Sequence, residues 1–160
     1  MEKFSSTRLS LDQMPARIAH FKIARSMRPR RDRLGVLVVE DQLFSRKLLY
    51  EVLRQDYQVD LAPDARAGLG LYLENAPDIA FLDIELTDES GHELARIIKA
   101  LDAESYVIMV TANNSVEDVA MAKSNRVDGF IVKPYSKGKI AECIEKFKAS
   151  RQSATGGISL

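Results

Sequence analysis

With 160 residues, the chain is long enough for one domain with a real core plus one appendage. Its 46% hydrophobic and 29% charged residues read as an ordinary globular protein, and the longest uncharged run, Ser105–Val116, is too short and too polar to span a bilayer. The 23 basic and 23 acidic residues cancel, yet nine Lys/Arg stand against three acids in residues 1–33, so the remainder carries six net negative charges. No apolar leader opens the chain, and a single cysteine, Cys143, excludes an internal disulfide; a cytoplasmic protein is expected.

In chain order, Leu11, Met14, Ile18 and Phe21 follow a 3-4-3 spacing that predicts a short amphipathic helix. Asp12 is its expected cap, with Pro15 tolerated in the first turn. "RSMRPRRDR" reads as a basic linker. From Leu34 the pattern alternates. "LGVLVVE" predicts a buried strand, "LFSRKLLYEVLRQ" a helix, "YQVDLA" a second strand, and "ARAGLGLYLENA" a helix capped by Asp64 and weakened by Gly68 and Gly70. "DIAFLD", "SYVIMVTA" and "VDGFIV" predict three more strands. "HELARIIKAL", a helix capped by Ser115, and a last helix capped by Ser136 alternate with them. That last helix carries Ile140, Cys143, Ile144 and Phe147 on one face, which makes Cys143 a core residue. The tail "SRQSATGGISL" shows no periodicity and is expected to be flexible. The division is therefore a basic extension over 1–33, a domain over 34–149 and a tail over 150–160.

Five strand–helix units in succession predict an α/β fold: a parallel sheet with helices on both faces, whose ligands lie beyond the strand C-termini. The polar outliers fall at those ends. Strand one ends in Glu40 and Asp41, strand three in Asp83, strand four in Thr111, and strand five in Lys133-Pro134. Two carboxylates about 4 Å apart repel by roughly 4 kcal/mol at an effective dielectric of 20. Three therefore call for a cation. With oxygen donors and neither thiolate nor imidazole, the ion expected is hard, Mg²⁺ or Mn²⁺, and a phosphate group is its usual companion. A carboxylate such as Asp83 can attack phosphorus and become an aspartyl phosphate.

The ordered set "VVED", "FLDIEL", "VTA" and "FIVKP" resembles the receiver domain of two-component response regulators over about residues 34–148, as do the separations of 42, 28 and 22 residues from Asp41 through Asp83 and Thr111 to Lys133. The resemblance implies a flavodoxin-like sheet of order 2-1-3-4-5 and Asp83 as phosphoacceptor. It implies Mg²⁺ on Asp41, Asp83 and the Glu85 backbone carbonyl, with Glu40 acting through water. It makes Thr111 the switch hydroxyl, Phe130 the switch aromatic and Lys133 the partner of the phosphoryl group, and it puts Glu85 and Asn113 at the positions that tune phosphoryl lifetime. Thr87 stands where many receivers have proline, which leaves the shape of the loop after Asp83 open. The implied partners are a histidine kinase or phosphotransfer protein and a downstream protein target, with signalling by protein contact from a stand-alone receiver rather than by a turnover enzyme.

Two other readings are available. "FLDIELT" superficially resembles the nucleophile motif of haloacid-dehalogenase phosphatases, but two strand–helix units precede it and no downstream acid pair follows. A degenerate receiver acting as an inert binding module is the other; the complete acid–Thr–Lys set argues against it. Singly, each feature has a plain meaning: Asp41 as a helix cap, Phe130 as core, His92 as a solvent-facing residue, His20 as a residue with no ligand partner nearby. The basic extension could dock on its own receiver, a second copy, another protein or an anionic membrane through residues 8–31; no groove-reading motif supports nucleic acid.

Overall fold

The computed structural model describes residues 9–113 and 115–156. Lys3 and Arg8 of the basic surplus and residues 157–160 of the tail lie outside the described residues. The elements run α1 (Pro15–Ser26), a single 3₁₀ turn (Arg28–Arg30), β1 (Gly35–Val39), α2 (Leu43–Leu53), β2 (Gln58–Ala62), α3 (Ala65–Asn75), β3 (Ile79–Asp83), α4 (Gly91–Leu101), β4 (Val107–Thr111), α5 (Val116–Ser124), β5 (Gly129–Val132) and α6 (Lys137–Gly156). The five strands form one sheet in the order β2-β1-β3-β4-β5, all pairs parallel.

Every residue of β1, β3 and β4 is buried, as expected of strands covered on both faces. The two-residue period divides them. Val36, Val38, Ile79, Phe81, Ile108 and Val110 meet Leu49 and Leu53 of α2 and Ile140, Ile144 and Phe147 of α6. Leu37, Val39, Ala80, Leu82, Val107 and Met109 face Leu69 and Leu73 of α3, Leu94 and Ile98 of α4, and Ala122 of α5. The parallel register brings Val39 of β1 level with Leu82 and Asp83 level with Val110, so the acids of the first and third strands emerge side by side.

Caps follow the sequence in most places. Asp64 accepts from the Ala67 amide, Ser115 from Asp118 and Ser136 from Lys139. Gly68, which weakens α3 as a helix, lets it lie on β1: a Cβ there would sit 2.6 Å from a Val39 methyl. The expected Asp12 cap does not form. A turn closed by Met14 N–H on the Leu11 carbonyl intervenes, and Met14 is the N-cap, with no side-chain bond. Asp41 does not cap α2 either; Gln42 holds that position. The flexible tail expected from residue 150 is in part helix, because α6 runs on to Gly156. Arg151 donates to the Glu104 carbonyl at 2.7 Å, a long-range tie that no local pattern announces.

The basic extension packs on its own domain. Phe21 is fully buried and its ring stacks on Tyr72 of α3 at 5.7 Å, with Leu11, Met14 and Ile18 against the same core. Three of its arginines go to backbone carbonyls at helix C-termini, where the helix dipole also favours cations. Arg28 donates to the carbonyls of Ala76 and Pro77, both at 2.9 Å, and Arg31 to Asn75, all just past or at the end of α3. Arg33 donates to Arg54 and Gln55 beyond α2. Arg28 also reaches the fully buried Asp102 at 2.6 Å, and the Tyr72 hydroxyl donates to the same carboxylate oxygen at 2.8 Å.

Burial works to raise the Asp102 pKa, but Arg28 and Tyr72 hold it below its ordinary value of 3.8. A depressed carboxyl gives stability that is present above the ordinary value and lost as pH falls through the lowered folded one. Breaking a buried pair from one side costs about 3–5 kcal/mol. Arg28→Ala is therefore expected to lower the urea-unfolding free energy at neutral pH by an amount near the lower end of that range, since Tyr72 still donates. The gap from the parent protein should shrink below about pH 4. An unchanged midpoint would show that the extension is not part of the folded unit.

Candidate functional site

The site is assembled by strand ends. Glu40 follows β1, and its amide still pairs with the Ala62 carbonyl of β2, which fixes the direction of the acid pair. Asp83 is the last residue of β3, Thr111 the last of β4, and Lys133 follows β5 with its amide on the Thr111 carbonyl at 2.8 Å. Glu40, Asp83 and Thr111 are buried while Asp41 is partly open. Glu40, Asp41 and Asp83 each present a carboxylate oxygen within 4.8 Å of the others.

Lys133 bridges two of them. Its ammonium lies 2.8 Å from Glu40 Oε1 and 3.1 Å from Asp83 Oδ2. Burial pulls the Lys133 pKa down, but those two bonds and the two charges more than offset it and hold the pKa above the ordinary lysine value. Asp41 is shifted the other way for a carboxylate. Partial burial, then its hydrogen bond with Glu40 and their repulsion, raise its pKa against the pull of Lys133. Three carboxylates with one ammonium leave a local excess of negative charge.

Glu40 is well occupied. Besides Lys133, its Oε1 accepts from the Tyr135 hydroxyl at 3.2 Å, and its Oε2 accepts from the Gln42 amide at 3.0 Å. Asp41 stands more open, and Asp83 keeps Oδ1 on the Glu85 amide at 3.1 Å. Thr111 Oγ1 accepts from the Asn113 amide at 3.1 Å. Phe130 is half-buried and packs against the α3–α4–α5 side of the core.

The loop after Asp83, left open by Thr87, is closed by its own pairing. Glu85 and Ser90 form an antiparallel bridge, and the Gly91 amide returns to the Ile84 carbonyl at 2.8 Å. Gly91 touches the backbone of Asp83 so closely that a Cβ would lie 2.0 Å from the Asp83 carbonyl oxygen. Asp88 reaches across to take the Ala65 and Arg66 amides at the start of α3, both at 2.9 Å.

Four participants were not evident in the sequence. Tyr135 sits two residues past Lys133, and burial with the Glu40 and Asp83 charges pushes its phenol far above the ordinary value, so it stays a donor. Arg46, one turn into α2, donates to the Glu40 carbonyl at 2.7 Å. Asp88 caps a helix 22 residues away, where no local spacing could reveal it. His92, expected to face solvent, is instead largely buried with Nε2 3.0 Å from Asp118 Oδ1. His20 sets Nε2 2.9 Å from the Glu74 carbonyl and 3.8 Å from the Glu74 carboxylate. Cys143 is half-buried on the core face of α6, and burial raises its thiol pKa.

The comparisons agree with this geometry. The family described as "Response regulator receiver domain" matches residues 36–145. The chemotaxis protein CheY of Halobacterium salinarum is 33% identical over 110 residues, covering 68% of this chain and 92% of that protein. The sensory transduction protein LytT of Bacillus anthracis is 32% identical over 125 residues, covering 75% of this chain, which spans only about half of LytT's length (49%). A solved CheY-like receiver domain protein from Methanospirillum hungatei superposes with a TM-score of 0.73 at 27% identity, over 76% of this chain and 99% of that one. These matches set the phosphatase reading aside; the chain is a signalling domain rather than a turnover enzyme. Among the described residues, no helix is long and apolar enough to cross a membrane.

Tyr135→Phe deletes one hydrogen bond to a buried carboxylate and nothing else of the side chain. A loss of about 1–2 kcal/mol of unfolding free energy is expected, readable by urea titration. No loss would mean that Glu40 relies on Lys133 and the Gln42 amide alone.

Proposed function

This chain belongs to the response regulator receiver domain family, and from that premise we propose that it accepts a phosphoryl group on Asp83 from a histidine kinase or phosphotransfer protein and signals by phosphorylation-dependent protein contact. The observation that carries the reading is the carboxylate cluster of Glu40, Asp41 and Asp83 at the ends of β1 and β3, balanced by a single ammonium.

In this reading the Asp83 carboxylate attacks phosphorus. The bond from phosphorus to the donor's leaving group breaks, the acyl–phosphate P–O bond forms, and a histidine donor's ring nitrogen takes up a proton. Lys133 follows the charge from the Asp83 carboxylate to a phosphoryl oxygen, and the Thr111 hydroxyl is available to another. The donor set fits a hard divalent ion: oxygen only, with three carboxylates whose oxygens lie within 4.8 Å of one another. Asp41, Asp83 and the Glu85 carbonyl would hold Mg²⁺, Mn²⁺ being an alternative. Glu40, its oxygens already occupied by Lys133, Tyr135 and Gln42, would act through water. Bound there, the ion neutralises charge on the transferring group. Glu85 and Asn113, flanking Asp83 and Thr111, would govern water access and so the phosphoryl lifetime, and Phe130 would follow the Thr111 hydroxyl.

Incubation with acetyl phosphate and Mg²⁺ is expected to add one phosphoryl group by intact mass, and Asp83→Asn is expected to abolish it. Full labelling of that variant would refute the assignment.

A further inference from the structure

We propose that His92 is a positioning residue that latches α5 to α4, and that its release carries phosphorylation of Asp83 to α5. The proposal rests on the reading of Asp83 as phosphoacceptor. Helix α5 has little apolar anchorage: Ala122 is its one buried residue, while Val116 and Met121 are 80% and 49% exposed. Polar ties hold it, and one residue supplies both ends. The His92 ring places Nε2 3.0 Å from Asp118 Oδ1 in the first turn of α5, and a carboxylate has no proton to give, so Nε2–H donates. The His92 carbonyl accepts from Asn125 Nδ2 at the C-cap of the same helix, at 3.0 Å.

His92 has no slack toward the phosphorylation site. It follows Gly91, which packs on the Asp83 backbone without room for a Cβ, and its own amide is bound by the Ser90 hydroxyl. A second route reaches the same carboxylate. Asp118 Oδ2 accepts from the Ser115 hydroxyl at 3.0 Å, and Ser115 lies two residues beyond Asn113, whose amide binds Thr111 Oγ1. Displacement at Asp83 or Thr111 thus arrives at opposite oxygens of Asp118. The latch can be opened. His92 Nδ1 is buried without a partner among the described residues, and an orphaned nitrogen favours any ring position that finds water.

The test uses the full chain, with and without Mg²⁺ and beryllium fluoride, read by amide resonances and hydrogen exchange. In His92→Leu without beryllium fluoride, amides of residues 116–124 are expected to exchange about tenfold faster, the size of effect that one charge-assisted hydrogen bond carries. Their resonances should move along the line joining the parent protein's free and beryllium fluoride positions. Uptake from acetyl phosphate should persist. If His92→Leu does not fold, Asn125→Ala releases the other end and is read the same way. Unchanged α5 exchange, or shifts off that line, would overturn the latch. Failure of the parent protein itself to take up phosphoryl would overturn the phosphoacceptor reading instead.

Discussion

The ammonium of Lys133, between Glu40 and Asp83, is the contact on which the rest of this structure turns. Parallel strands deliver three carboxylates to one rim because each strand must end where the sheet ends, and Glu40 and Asp83 are too buried for water to screen them. One positive charge, drawn from the far strand β5, makes that arrangement tolerable without cancelling it. Tyr135 adds a hydroxyl to Glu40 beside that bridge, and Asp41 keeps a raised pKa, from burial and its bond with Glu40, in spite of the nearby ammonium. A site whose charge is deliberately left incomplete is one that a cation and a phosphoryl group can enter.

Positive charge is managed differently at the opposite end of the sheet. The six-charge surplus of residues 1–33 leaves docking on the chain's own receiver, a second copy, another protein or an anionic membrane open when seen as composition. In the fold, Arg28, Arg31 and Arg33 are spent on the carbonyls that end α2 and α3, and Arg28 on the buried Asp102. The extension thereby becomes a sixth helix packed on α3, fixed by an aromatic stack and an ion pair. Its target helix is itself capped by Asp88 from the loop after Asp83, so α3 is tied at one end to the site and at the other to the extension.

Local patterns revealed most of the fold. Short continuous apolar runs in "LGVLVVE" and "DIAFLD" and the caps at Asp64, Ser115 and Ser136 gave the strand–helix succession, and acids at strand tips gave the site. What escaped was non-local. The Arg28–Asp102 pair spans 74 residues and the His92–Asp118 pair 26, and neither has a spacing signature. His92 sits in a first turn where exposure is the ordinary expectation; only the approach of α5 buries it. Asp12 failed as a cap for a local reason, a competing turn closed by Met14 and Leu11. The end of α6 was hidden because its stabilising contact, Arg151 with Glu104, joins residues far apart in sequence.

The central claim is that the rim carries uncompensated negative charge directed at a divalent cation, with Asp41 the open ligand and Glu40 the occupied one. Stability as a function of Mg²⁺ tests it most directly, since an ion that binds only the folded chain stabilises it by about 1.4 kcal/mol at ten times its Kd. Urea unfolding of the parent protein should shift upward with Mg²⁺. The shift should be lost in Asp41→Asn and retained in weakened form in Glu40→Gln. An equal Mg²⁺ response in the parent protein and Asp41→Asn would contradict the account.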